Sequence, residues 1–188
     1  RAGQAWSLSS KSIHQVDGEL ALGGNPHLNG NKGREDQAIG ELTGEGLVRL
    51  QNGSHLYYVV LNGDVEFSGN SEGNGSLVKE GTGTTAFSGT FGHSGYTKVH
   101  DGSLLLKGDG SLSTQSTVLI SSPTNQPTLD LGGTTQRAPK YNLHGGTLKN
   151  GILGAAEINV ERRDSNIING VDGELVSVNA SSENTFEE

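Results

Sequence analysis

Histidine is the residue type in this chain best suited to chemistry, because it binds metals and transfers protons near neutral pH. A zinc site needs three or four ligands with compact spacing. His93 and His100 come nearest, with Asp101 adjacent, but they do not make up such a set. We therefore expect the histidines to lie in surface turns and to bind no metal. They are His14, His27, His55, His93, His100 and His144.

Sequences that could mark a nucleophile or a calcium loop are weak. Gly108-Asp109-Gly110-Ser111 is similar to the Gly-Asp-Ser-Gly stretch around a chymotrypsin-type serine, but the serine is displaced. No Gly-x-Ser-x-Gly elbow occurs. The Asp-Gly pairs also lack the register of a calcium-binding nonapeptide. We predict turns at these places, and we assign no catalytic, metal-binding or cofactor-binding residue to the chain.

Charged residues in the second half leave one enzymatic hypothesis open. A β-helical polysaccharide lyase or hydrolase places carboxylates and cations along one groove, and a glycosidase needs two carboxylates. A solvated turn is the simpler interpretation of the densest cluster, residues 162–164. The candidate residues are Asp130, Glu157, Glu161, Arg162, Arg163 and Asp164.

Composition narrows the classes of protein that these residues could serve. The 188 residues include 30 Gly and no Cys, and only 31% are hydrophobic, which argues against a compact helical core. A formal net charge of −8 argues against a nucleic-acid partner, which would need basic patches. No apolar stretch approaches the length of a membrane helix. Because the chain starts at Arg1, we interpret it as an excised or mature segment.

Short apolar clusters recur along the whole chain and predict many short strands. Several alternate apolar and polar residues, as in Val65-Glu66-Phe67 and Ile158-Asn159-Val160, which is the period of a strand with one buried face. Asn-Gly and Asp-Gly pairs between them indicate tight turns. This pattern fits either an antiparallel sandwich or a solenoid of stacked coils.

The scarcity of aromatic residues favours the solenoid, whose narrow core is built from Leu, Val, Ile and Ala. With only one Trp, four Tyr and four Phe, the chain has little material for the two-faced core of a sandwich. We predict a single all-β domain over 1–188: a right-handed, three-sided, single-stranded parallel β-helix. At roughly 20 to 25 residues per coil, it would hold about eight coils.

The segment from Gly69 to Gly108 resembles the passenger-associated repeat of bacterial autotransporters, the proteins of type V secretion. The family pattern is G-x-G-S-L-x-K-x-G-x-G-T-L-x-L-S-G, followed after an insertion by a Y-T stretch and a V-x-x-G-x-L-x-L stretch. Thr85-Ala86 departs from it. The matching residues are Gly73, Gly75, Ser76, Leu77, Lys79, Gly81, Gly83, Thr84, Phe87, Ser88 and Gly89, then Tyr96, Thr97, Val99, Gly102, Leu104 and Leu106.

Physical expectations for the repeat follow from its pattern. Gly81 and Gly83 would form a narrow corner, whereas Leu77, Phe87, Val99 and Leu104 would share one core. We expect Lys79 and Glu80 to lie on the solvent side, or Lys79 to point along the outer face.

The resemblance implies a segment that is secreted or exposed on the surface of a Gram-negative bacterium, where such proteins act in adhesion and virulence. An outer-membrane barrel would follow the segment, and an enzymatic activity of the parent would lie in an upstream serine protease domain. The first hypothesis is a stalk that displays an adhesive or proteolytic domain. The alternatives are a direct adhesin or aggregation surface, which would bind host-cell or matrix proteins, glycans or copies of itself, and a β-helical polysaccharide-degrading enzyme.

Overall fold

A computed structural model describes residues 12–23, 36–161, 165–180 and 185–186. These residues form nineteen strands, and none of them belongs to a helix able to span a membrane. The strands are β1 (His14–Gln15), β2 (Glu19–Leu22), β3 (Gln37–Ile39), β4 (Leu42–Thr43), β5 (Leu47–Leu50), β6 (His55–Val59), β7 (Asp64–Phe67), β8 (Asn70–Gly73), β9 (Ser76–Glu80), β10 (Thr84–Phe87), β11 (Thr97–Val99), β12 (Ser103–Leu106), β13 (Thr117–Ser121), β14 (Thr128–Asp130), β15 (Thr135–Gln136), β16 (Lys140–His144), β17 (Gly146–Val160), β18 (Ser165–Ala180) and β19 (Thr185–Phe186).

Every ladder between described strands is parallel, and each joins a strand to one in the next coil. Leu56 pairs with Leu77, and Leu77 pairs with Thr97. Parallel partners need a long connection, which here is the rest of the coil. The β-solenoid prediction is therefore confirmed, and the antiparallel sandwich is excluded for the described residues.

The solenoid has about six turns instead of the eight expected. The prediction of eight turns assumed that all residues are divided evenly among coils of the same short length. One coil is longer than that, since His14 pairs with Leu42. At a strand spacing of about 4.8 Å, six turns stack over roughly 30 Å.

The pairing divides each coil among three faces. The first face contains β3, β6, β9, β11, β13 and β16, the second contains β7, β10, β12 and β14, and the third contains β2, β5, β8 and β15. The long strand β17 crosses all three. It pairs with β14 through residues 147–149, with β15 through 152–153 and with β16 through 157–160.

The core lies between the three faces and is built from every second residue of each strand. Leu77, Phe87, Val99 and Leu104 are at most 1% exposed, as the repeat predicted. The Phe87 ring packs against Phe67 in the neighbouring coil, with ring centroids 5.9 Å apart. Each fully buried apolar side chain contributes roughly 1.5–3 kcal/mol relative to an exposed one, so the stack is stabilised mainly by contacts between coils.

Glycine in the repeat stands where adjacent coils come too close for a side chain. Gly81 has a φ of +75°, and a Cβ there would collide with the Val60 carbonyl. A Cβ on Gly83 would overlap the Val60 side chain. The predicted narrow corner is therefore present, and the Asn-Gly pair Asn52-Gly53, with φ of 54° and 68°, turns a corner of the coil by the same left-handed geometry.

Replacing Leu104 with alanine is expected to lower the free energy of unfolding by roughly 2–5 kcal/mol, because the stack around Leu104 can collapse only partly into the cavity. The matched control is Leu61→Ala, since Leu61 is 54% exposed, and it should change stability by less than about 0.5 kcal/mol. Denaturant unfolding followed by circular dichroism measures both. Equal effects of the two variants would contradict the assignment of Leu104 to the core.

Candidate functional site

The outer surface of the first face carries the densest array of reactive side chains in the described residues. Parallel register places Glu80, His100, Ser121 and His144 in one column across successive coils, followed by Glu161. His100 Nδ1 lies 2.8 Å from Glu80 Oε2, and His144 Nε2 lies 3.1 Å from Glu161 Oε2. The column therefore sets one serine between two histidine–glutamate pairs.

This column contains the residue types of a hydrolase but not its geometry. A serine nucleophile needs a hydrogen bond to its base. Among the described contacts, Ser121 bonds to neither imidazole, whereas each imidazole bonds to its own glutamate. The two histidine–glutamate contacts consequently act between coils, joining adjacent strands at a half-exposed surface.

His55 belongs to an aromatic cluster on the same face. Its Nδ1 lies 3.2 Å from the hydroxyl oxygens of both Tyr57 and Tyr96. The Tyr96 ring meets the imidazole edge to face, with centroids 5.1 Å apart. The backbone N–H of His55 donates to Asp36 Oδ1 at 2.9 Å. The cluster joins residues from three coils. Val78, the ladder partner of Tyr57 in the next coil, is 1% exposed.

His93 is buried inside the solenoid, so its assignment to a surface turn was wrong. Nδ1 lies 2.7 Å from Ser71 Oγ, and Nε2 lies 3.0 Å from Thr97 Oγ1. Burial lowers the pKa of His93 to about 4, so the ring is neutral at physiological pH. Although serine and imidazole are in contact, His93 is 0% and Ser71 2% exposed, so a substrate cannot reach them. The three side chains satisfy one another within the core.

Three other histidines also differ from the prediction. His14, His55 and His144 lie within strands and His100 directly after one, while His27 lies outside the described residues. These histidines lie in strands because the outer side of the parallel ladder accepts polar side chains. Within the part of the chain that the structure describes, no group of three or more potential ligands is placed to hold a metal ion.

Lys79 was expected at the outer surface and is instead fully buried, with 0% exposure. It stands in an inward-facing line between Tyr58 and Val99 of the adjacent coils. Its ammonium group donates to the carbonyl oxygens of Glu80 at 2.8 Å, Gly81 at 2.7 Å and Asp101 at 3.2 Å. Three donors thus meet three carbonyls at the corner of the coil.

The sequence contained a signal for this placement. Leu77 and Lys79 are two positions apart, so strand alternation sends both side chains to the same side. The positive charge of Lys79 predicts an outward position, but strand alternation decides on which side of the strand it lies. Burial lowers the pKa of Lys79 to about 8, partly offset by the nearby charges of Asp101 and Glu80.

The three carboxylates proposed for a glycosidase that the structure describes are not brought together. Asp130 lies on the second face, where Lys149 Nζ is 3.4 Å from its Oδ2. Glu157 lies on the first face, paired with Lys140 at 3.1 Å, and hydrogen bonds from Lys140 and Asn159 lower its pKa. Glu161 stands four residues further along the same segment, about 13 Å away at a strand rise of roughly 3.3 Å per residue. A glycosidase pair is separated by about 5–9.5 Å.

Residues 162–164 lie outside the described part of the chain. Ser111, from the sequence similar to a protease motif, bonds through its hydroxyl to Thr90 Oγ1 at 3.4 Å. Comparison with protein-family models, curated proteins and solved structures finds no match to this chain. The resemblance to the autotransporter repeat is therefore supported only by the residues that match its pattern. A functional proposal has to rest on the geometry of the interior and of the surface.

The low pKa of Lys79 predicts a pH-dependent stability. Between pH 8 and 10.5 the unfolded chain, in which Lys79 has its ordinary pKa of 10.5, binds more protons than the folded chain. The free energy of unfolding should therefore rise with pH in this window, by up to roughly 3 kcal/mol from this residue.

Lys79→Met should remove this contribution. The free energy of unfolding of the wild type, relative to that of the variant, should therefore rise from pH 8 to 10.5. Denaturant unfolding of both proteins at these two pH values measures it, and other groups cancel in the difference. A difference that is constant with pH would show that the amine is solvated.

Proposed function

We propose that this chain is a stalk segment of a secreted or surface-exposed bacterial autotransporter, displaying an adhesive or proteolytic domain. The observation that carries the proposal is the stacking of the coils through parallel ladders on three faces, with one interruption on the third. Such a stack transmits a fixed spacing along its axis, since each coil contacts its neighbours alone. The repeat between Gly69 and Gly108 supports it further, because its glycines and leucines occupy corners and core.

The outer charges also suit a spacer. Several of them are compensated between coils: Lys107 lies 3.0 Å from Glu66, two coils earlier, and Arg49 pairs with both Glu19 and Glu72. Exposed pairs of this kind add little stability, typically below about 1 kcal/mol. They leave a solvated surface, which a segment that only separates other parts of a protein requires.

Removal of one coil in register tests the stalk role. Thr84 and Ser103 are partners in the ladder, so deleting residues 84–102 joins equivalent positions of successive coils. We expect the shortened parent to be exported and to retain the activity of its displayed domain. Deletion of 84–97 is the control, since it removes a similar length out of register and should prevent folding.

The change in spacing can be measured directly. The chain has no Cys, so Leu61→Cys and Ile152→Cys, both exposed, accept spin labels on either side of the deletion. Pulsed electron paramagnetic resonance should show a shortening of about 4.8 Å, one strand spacing. Loss of the displayed activity in a folded, exported, shortened parent would contradict the stalk proposal.

A second candidate, an aggregation surface that joins copies of the chain, is favoured by a row of hydroxyls on the second face. Thr84, Ser103, Thr128 and Thr147 are partners in successive ladders and all are partly exposed. Side chains repeated at the strand spacing can pair with the same row on another copy.

Replacing these four residues with alanine is expected to abolish sedimentation of cells that display the parent, if this candidate is right. The paired substitution Lys107→Ala with Glu66→Ala, on the same face, controls for general changes of the surface. Unchanged sedimentation in the four-fold variant would eliminate the hydroxyl row as an adhesive element and leave the stalk role intact.

A further inference from the structure

The hydrogen-bond ladder of the third face is interrupted between two successive coils. Thr90 and Ser111 form an isolated bridge, and the next coil contributes β15, which pairs only with β17 among the described strands. The Gln136 side chain joins the two coils instead. Leu112 N donates to its Oε1 at 2.7 Å, and its Nε2 donates to the Gly110 carbonyl at 3.0 Å. One buried amide thereby replaces the backbone ladder.

This interruption opens a groove of about 260 Å³ in an otherwise closed face. Phe91 and Leu112 lie at its base and are at most 3% exposed. The exposed residues that line it are Thr90, Thr114, Gln115, Thr135 and Arg137. These residues bring hydroxyl and amide groups to the groove, and the Arg137 side chain lies at its rim, against Gly154 of the following coil. The volume fits a small unit, below the roughly 300 Å³ at which pockets for drug-sized ligands begin.

Arg137 is the charged group of this groove, and no Asp or Glu lines it. Arg49, Lys107, Lys140 and Lys149 each pair with a carboxylate, and Lys79 is buried. Apart from the buried Lys79, only Lys98 and Arg137 among the described lysines and arginines form no ion pair. In a chain of net charge −8, an exposed guanidinium without a carboxylate partner marks a place where an external anion can be bound.

We propose that the groove binds an acidic saccharide through Arg137, with one uronic-acid residue seated between the two coils. A guanidinium presents two parallel N–H donors that match the two oxygens of a carboxylate. The hydroxyls of Thr114 and Thr135 and the amide of Gln115 are suited to the sugar hydroxyls. This site lies on the third face and does not depend on the stalk role.

The groove chemistry favours a saccharide over an acidic peptide. Peptides are usually held by apolar pockets for their side chains or by pairing with a free strand edge. Here the apolar residues at the base are buried, and the amide of Gln136 already occupies the gap in the ladder. What is left exposed combines apolar carbon with hydroxyl, amide and guanidinium groups, which matches the apolar ring face, the hydroxyls and the single negative charge of a uronic-acid residue.

Titration calorimetry of the intact chain with trigalacturonate tests the proposal. Binding should be measurable with the wild type, and Arg137→Ala should weaken it at least tenfold, the loss expected for a charge-assisted hydrogen-bonded pair. Arg137→Lys should fall between the two, because it keeps the charge without the paired donors. Arg137 is exposed, so circular dichroism should show an unchanged fold in both variants.

Lys98→Ala is the matched control, since Lys98 is the other unpaired cation and lies on the first face, outside the groove. It removes the same charge and should leave binding unchanged. The neutral galactose trimer should bind at least tenfold more weakly than trigalacturonate. Absence of trigalacturonate binding, equal losses in Arg137→Ala and Lys98→Ala, or equal binding of the neutral trimer would each overturn the proposal.

Discussion

The parallel hydrogen-bond ladder between coils is the constraint on which the rest of this structure depends. It aligns each residue with partners in the preceding and following coils, as Val118 is aligned with Thr97 and Tyr141. Side chains alternate along the strand, so this alignment produces continuous lines inside the solenoid and continuous columns outside. Both the core and the reactive columns of the surface are consequences of one backbone pattern.

The interior shows that alignment overrides side-chain polarity. Lys79 and His93 stand at inward positions because their strand and coil place them there, and each is satisfied by local partners. An unsatisfied buried donor would cost roughly 1–3 kcal/mol. The carbonyls at the corner of the coil and the hydroxyls of Ser71 and Thr97 remove that cost. Polar residues in this core thus mark corners and coil junctions.

The outer surface divides into compensated faces and one interruption. Ion pairs and hydrogen bonds across the ladder tie most charged side chains to a neighbouring coil, as with His100 and Glu80. Gln136 breaks this regularity because its side chain takes the place of a backbone partner. In a solenoid of repeated coils, a concave site forms mainly where the repetition is interrupted. The groove beside Arg137 lies at such an interruption.

The sequence by itself determined the fold class, the apolar core of the repeat and the glycine corners. The alternation of apolar and polar residues and the spacing of the Asn-Gly pairs are local properties of the sequence, so they do not depend on how the coils stack. Leu104 and Gly81 were accordingly assigned correctly. The number of turns was overestimated, since the length of each connection depends on where the next strand finds its partner.

Only the tertiary structure decided which residues meet across coils. The partners of His93 and the column through Ser121 join positions far apart in sequence whose register is set by the ladder. The groove at Arg137 depends on the Gln136 side chain, which replaces a backbone hydrogen bond between coils. No local sequence pattern predicts that replacement. The physical reason is the same in each case. Strand alternation is a property of neighbouring residues, whereas the register between coils is determined by the packing of the whole stack.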